Sequence, residues 1–228
     1  MIGELYIVST PIGNLNDITN RAITTLELVD IIVAEDSRVT KKILDKYKIT
    51  KKIISYNDYN EIRRVDKIIN YLKEGLNIAL VSDAGTPTIS DPGYRLVNKA
   101  LLDDIKIISI PGACSAIAAL SISGLPTDKF FFEGFLPKKK GRLKRFNFLK
   151  TLECTIILFE SPYRVLRTLE DISKNLGNRV ISVVKEITKI HESVFIGYVD
   201  NLKDNFEKNK IKGEFIILIG KEGYTIDE

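Results

Sequence analysis

Short unbroken apolar runs at residues 5–8, 31–34, 53–54 and 78–81, and a mainly apolar stretch at 105–110, alternate with longer stretches whose apolar positions recur every three or four residues. Ala22, Ile23, Leu26 and Val29 share one helical face, Ile43, Leu44 and Tyr47 mark a second helix, and Ile62, Val65, Ile68, Ile69 and Leu72 a long third one. Thr19 stands where an N-cap belongs; Asp91 is expected to cap the helix after residue 81, with Pro92 at its first position, where the missing N–H has no partner to lose. Strands that are apolar throughout and separated by helices predict a parallel sheet covered on both faces.

The texture changes after Pro111 and Gly112. Residues 113–122 are small, apolar and helix-compatible, and 130–135 read as an aromatic strand with Glu133 embedded. A basic run follows, in which Lys138, Lys139, Lys140, Arg142, Lys144 and Arg145 fill six of eight positions. Residues 156–159 are a strand, after which Ser161 is expected to cap and Pro162 to start a helix carrying Val165, Leu166, Leu169 and Ile172. Residues 180–184, 194–198 and 215–219 read as further strands. The expected architecture is α/β, with two α/β domains at 1–112 and 113–228.

Ligands of open α/β sheets sit beyond the carboxyl ends of the strands. There the chain places polar loops: residues 11–14, 35–38, 82–91 and 111–115 in the first half and 160–164 in the second. Gly85 is expected to let the backbone approach a ligand closely. No G-x-x-x-x-G-K-[ST], G-x-G-x-x-G or G-x-S-x-G motif occurs, which argues against a phosphate loop, an ordinary dinucleotide site and a nucleophile elbow. One histidine, His191, and two distant cysteines, Cys114 and Cys154, argue against a zinc site or a disulfide framework; no metal is expected. The net charge of +4 permits an anionic partner without requiring one. No run reaches the eighteen or so apolar residues of a membrane span, and no leader pattern follows Met1, so a cytoplasmic location away from membranes is expected.

Taken in order, S-T-P-I-G-N-L-N-D-I-T, A-E-D-S-R, S-D-A-G-T-P-T-I-S-D-P-G-Y-R-L-V, I-P-G-A-C-S-A-I-A-A-L-S-I-S-G-L-P-T-D, F-E-G-F-L-P-K, E-S-P-Y-R and K-E-I-T-K-I-H-E closely resemble one branch of the tetrapyrrole methylase superfamily, the ribosomal RNA small subunit methyltransferase I family. The resemblance covers nearly the whole chain. It implies S-adenosylmethionine as methyl donor, a cleft between two domains as the active site, a homodimer, and 2′-O-methylation of a cytidine in the decoding region of small-subunit ribosomal RNA, free or in the assembled subunit. By motif position it assigns Pro11, Asp83, Ala84, Gly85, Cys114 and Ser115 to the donor. Glu35, Asp36 and Arg38, with Glu160 opposite, become the catalytic candidates, since acidic groups can accept or orient a hydroxyl. Arg95, Arg164 and the basic run of Lys138, Lys139, Lys140, Arg142, Lys144 and Arg145 become the RNA contacts, with Phe146 and Phe148 either stacking or core.

The sequence departs from the family pattern at several places. Ser37 stands where threonine is usual, and Asn57, Tyr59 and Tyr163 stand where histidine is common, which removes a histidine base there. Many members also continue into a further small domain, so some RNA contact is expected to differ. Two other readings use the same residues: a methylase acting on a tetrapyrrole ring, and a ribosome-binding relative without catalysis. The basic run and the A-E-D-S-R loop favour RNA over a tetrapyrrole, and the intact S-D-A-G-T-P loop argues against lost catalysis.

Overall fold

A computed structural model describes residues 1–208 and 211–226. The chain divides into two compact units, Met1–Cys114 and Ser115–Glu228, so the change falls at 114/115 rather than at 112/113.

The first unit is a doubly wound sheet. Its strands are β1 (Leu5–Val8), β2 (Ile31–Ala34), β3 (Lys52–Ser55), β4 (Ile78–Val81) and β5 (Ile107–Ile110), all parallel, in the order β3-β2-β4-β1-β5. Helices α1 (Asn20–Leu28), α2 (Ser37–Lys46), α3 (Glu61–Lys73) and α4 (Tyr94–Leu102) cover it. Alternate strand residues feed two cores: Ile31, Val33, Ile78 and Leu80 pack with Ile68, Leu72 and Leu96, while Ile32, Ala34, Ala79 and Val81 pack with Ala22, Leu26, Ile43 and Leu44. That two-sided burial is why the strands are apolar at every position. Thr19 caps α1 as expected, its hydroxyl accepting from the Ala22 N–H at 3.1 Å. Ile62, by contrast, is 70% exposed: it lies outside the stripe that Val65, Ile68, Ile69 and Leu72 bury.

The second unit has a mixed sheet in the order β6-β7-β10-β8-β9, built from β6 (Phe130–Phe135), β7 (Thr155–Glu160), β8 (Val180–Lys185), β9 (Ser193–Tyr198) and β10 (Phe215–Ile219). Only β6 and β7 run parallel; the other neighbours are antiparallel. Its helices are α5 (Ser115–Ser121), α6 (Arg142–Leu149), α7 (Val165–Leu176) and α8 (Val199–Glu207). Helices α6, α7 and α8 bury Phe146, Leu149, Leu169, Ile172, Leu202 and Phe206 against Ile156, Leu158, Ile181, Val183 and Ile217.

Two helix starts differ from expectation. Helix α4 begins at Tyr94, past Asp91 and Pro92, because Gly93 makes the turn at φ +137, where any Cβ would lie 2.8 Å from Leu80 Cδ2. Asp91 is therefore no cap; it is half-buried, and the nearby Ser82 only partly offsets the burial of its carboxyl group. Helix α7 begins at Val165, and Ser161 and Pro162 lie in a preceding turn closed by the Arg164 N–H on the Ser161 carbonyl at 3.0 Å. Strand β5 starts at Ile107 and α5 at Ser115, each inside the longer expected segment.

Candidate functional site

The carboxyl ends of β1, β2, β4 and β5 bring the polar loops of the first unit together. Hydroxyls and main chain tie these loops. Thr10 and Gly85 exchange two backbone hydrogen bonds, at 2.9 and 3.1 Å, and Thr10 Oγ1 donates to the Ser82 carbonyl at 3.1 Å. Ser9 Oγ lies 3.0 Å from Thr86 Oγ1, which donates to the Ala113 carbonyl at 3.2 Å. Gly85, at φ +89, thus has both its N–H and its C=O taken up internally, and a Cβ would meet Ile12 Cγ2 at 3.2 Å. Its freedom serves the close approach of the β1 and β4 loops to each other. Of its neighbours, Pro11 is buried, Ala84 is exposed, and Asp83, Cys114 and Ser115 are half-buried.

Beside this weave lies a pocket of about 390 Å³ at the ends of β2, β3 and β4, lined among others by Glu35, Asp36, Ser55, Asn57, Asp58 and Asp83. The Asp83 carboxylate accepts the Asp36 N–H at 2.9 Å, which fixes the two loops to each other. Carboxylates crowd here. Burial pushes the Glu35 pKa up, and the charges of Asp83, Asp91 and Asp58 push it further. Burial also raises Asp83, and lifts Asp91 to about 6 with help from Asp83 and Asp58. Asn57 Oδ1 is buried without a hydrogen-bond partner among the described residues. The pocket thus offers acceptors in excess and suits a ligand that is cationic and rich in hydroxyls.

Asp36 differs from its neighbours. It caps α2 through the Arg38 N–H at 2.8 Å and holds the exposed Arg38 guanidinium at 2.5 Å, contacts that lower its pKa to about 2. Glu160, at the end of β7 in the second unit, is 3% exposed; its carboxylate accepts from Thr168 Oγ1 and the Ser161 N–H at 2.7 and 2.8 Å and forms an ion pair with Arg164 Nε at 2.7 Å. It braces the β7–α7 turn.

The basic run separates into two kinds of residue. Lys138, Lys139, Lys140 and Lys144 are exposed. Arg142 is 5% exposed: Nε meets Asp171 at 2.7 Å, Nη2 meets Thr168 Oγ1 at 2.8 Å, and Nη1 meets the Pro137 carbonyl. A guanidinium so enclosed is a structural strut, which corrects its assignment as an RNA contact. Arg145 is paired with Glu133 and lies over the Phe148 ring. Phe146 is core, whereas Phe148 is 40% exposed and packs edge-on to Phe131. Arg95 is exposed and pairs with Glu61 at 2.7 Å. Phe135 and Tyr163, which line a second pocket with Lys138 and Arg164, were not among the expected site residues. A larger depression of about 750 Å³ at the amino ends of β6 and β7 mixes Lys129, Lys150 and Lys221 with Asp128, Glu153 and Glu222; burial and the Asp128 charge raise the Cys154 pKa there, which disfavours its thiolate.

A two-sheet fold with woven loops at the strand ends, and no glycine-rich dinucleotide signature, defines a class, and comparison with known proteins gives it a name. Residues 4–203 match the model of the Tetrapyrrole (Corrin/Porphyrin) Methylases. A ribosomal RNA small subunit methyltransferase I from Thermotoga maritima is 46% identical over 97% of this chain and 100% of its own length, and one from Synechocystis sp. is 49% identical over 96% of this chain and 79% of its own. Among solved structures, a diphthine synthase superposes with a TM-score of 0.74 at 13% identity, covering 99% of this chain and 93% of that one. A cobalt precorrin-4 methyltransferase gives 0.67 at 21% identity, covering 95% and 94%. The chain belongs to the tetrapyrrole methylases and, within them, to the ribosomal RNA small subunit methyltransferase I family, whose methyl donor is S-adenosylmethionine.

Proposed function

We propose that the chain methylates the 2′-oxygen of a cytidine ribose in the decoding region of small-subunit ribosomal RNA. The observation that carries this reading is 46% identity to a ribosomal RNA small subunit methyltransferase I across the whole of that relative. Similarity to the corrinoid enzyme, at 21% identity, extends to the fold alone. Lys138, Lys139, Lys140 and Lys144, exposed together, suit a phosphate backbone better than a tetrapyrrole.

The first unit's pocket fits S-adenosylmethionine. Its carboxylates and the unpartnered Asn57 Oδ1 match the sulfonium and ammonium charges and ribose hydroxyls of that molecule, which supplies the electrophilic methyl group when bound. Asp83 and the exposed Ala84 are its proposed contacts, with Pro11, Cys114 and Ser115 beside them and Gly85 shaping the loop. Glu35 is the proposed base. Burial and like charges raise its proton affinity, so its carboxylate can take the proton leaving the 2′-hydroxyl as the oxygen–methyl bond forms. Asp36 and Arg38 would orient the substrate at the pocket's rim, and Glu160 acts by holding Arg164 in place.

Incubation of S-adenosylmethionine carrying a labelled methyl group with small subunits that lack the modification, followed by RNA digestion, tests the reading. Label in one cytidine ribose, absent with Asp83→Ala, is the expected result. Label on a base or on a tetrapyrrole, or donor binding without transfer to RNA, would contradict it.

A further inference from the structure

Helices α6, α7 and α8 pack on one face of the second unit's sheet, and a bulge gives the other face an aromatic corner. Strand β6 pairs with β7 from Phe130 opposite Thr155 to Phe132 opposite Ile157, then resumes with Gly134 opposite Leu158 and Phe135 opposite Phe159. Glu133 is the additional residue; its carboxylate is held by Arg145 of α6, and Gly134 takes φ +71 to complete the irregularity. In a regular strand, residues 132 and 135 would face opposite ways. The bulge turns both toward Phe159, at ring separations of 5.1 and 5.6 Å with edge-to-face geometry.

Phe135 is left 56% exposed on this corner, and Tyr163, from the turn before α7, is 95% exposed. Together they line a pocket of about 670 Å³ with Leu136, Pro137, Lys138 and Arg164. Arg164 is fixed at its rim: Nε is held by Glu160 at 2.7 Å and Nη1 by the Leu136 carbonyl at 3.1 Å, and Nη2 has no hydrogen-bond partner among the described residues. Lys138, Lys139 and Lys140 form no ion pair among the described residues. Exposed rings edged by cations of one sign, one of them immobilised, complement a chain of flat bases joined by phosphates. A second copy of this protein would have to bring its own carboxylates to this surface.

We propose that this pocket is a subsite for unpaired nucleotides of RNA. Bases stack on Phe135 and Tyr163, while Arg164 Nη2 and Lys138 meet the flanking phosphates. The proposal rests on the RNA reading above and adds the single-stranded conformation and the residues that recognise it.

The test is fluorescence anisotropy of a labelled ten-nucleotide, cytidine-rich single-stranded oligoribonucleotide and of its duplex, titrated with the full chain without methyl donor. Tighter binding of the single strand is expected. Phe135→Ala and Tyr163→Ala each weaken it roughly tenfold, and Tyr163→Phe retains it, because the ring rather than the hydroxyl stacks. Lys138→Ala lowers the slope of log affinity against log salt by about 0.7. Both rings are exposed, so unchanged circular dichroism should accompany these losses. Wild-type affinity in both alanine variants, equal loss in Tyr163→Phe, absence of binding by the wild-type chain, or conversion of a dimer to monomers by the Phe135→Ala/Tyr163→Ala double variant would overturn the proposal. Ring-dependent binding without methyl transfer would refute the proposed reaction and leave the subsite standing; transfer at the wild-type rate by the double variant would refute the subsite alone.

Discussion

The two units carry opposite chemistry at the carboxyl ends of their strands. In the first, burial raises the pKa of Glu35, Asp83 and Asp91, and neighbouring carboxylates raise each further, with Asn57 Oδ1 unpartnered among the described residues beside them. In the second, the one buried carboxylate of the β7–α7 turn, Glu160, is fully engaged, and the surface turned outward is aromatic and cationic. The contrast is between an unmet demand for positive charge and a spent one. A cationic ligand would relieve the crowding at the first edge, whereas the second is complete as a structure and its exposed cations would suit an anion.

The sharpest way to break that contrast is to remove a cation that looks available and is not. Arg142→Ala removes the buried guanidinium that Asp171 and Thr168 share, and a loss of about 3 kcal/mol in unfolding free energy is expected from urea titration. Lys144→Ala, two residues away and exposed, should leave stability within about 0.5 kcal/mol of wild type. Similar costs for the two would erase the distinction between strut and surface cation.

Next in size is Gly85→Ala, which forces a Cβ at φ +89 against Ile12 and should cost about 1–2 kcal/mol, read as a lowered unfolding midpoint with the β1 and β4 loops loosened.

The acidic edge also has a pH signature. Asp91 titrates near 3.8 when unfolded and near 6 when folded, so the folded state holds more protons between those values. Its contribution to stability is present below pH 3.8 and is lost as pH rises through 6. Asp91→Asn should flatten that part of the stability curve, measured by denaturation at a series of pH values. Asp36, held low by Arg38, contributes with the opposite sign in a separate window, losing stability as pH falls from 3.8 toward 2. The smallest effect belongs to Arg95→Ala: its exposed pair with Glu61 should be worth about 0.5 kcal/mol or less.

The first sheet was legible because a strand buried on both faces must be apolar at every position, and residues 5–8, 31–34 and 78–81 are. Helix α8 was also written in the spacing of Val199, Leu202 and Phe206 and went unread beside two strands. The start of α4 was hidden because Asp91 and Pro92 make a good local cap signal, yet Gly93 fits under Leu80 only as glycine, a tertiary constraint. Arg142 read as surface because a basic run is judged by composition, whereas its burial depends on Asp171 and Thr168 of another helix. Phe135 was missed for a similar reason: alternation places it opposite Phe132, and only pairing with β7 reveals the bulge that brings both rings to one face.

The most direct measurement is calorimetric titration of S-adenosylmethionine into the wild-type chain, Asp83→Ala and Tyr163→Ala, without RNA. If the acidic edge holds the donor and the aromatic corner holds RNA, Asp83→Ala loses donor affinity by tenfold or more, while Tyr163→Ala binds it as the wild type does. Wild-type donor binding by Asp83→Ala, or its loss in Tyr163→Ala, would contradict that division of roles.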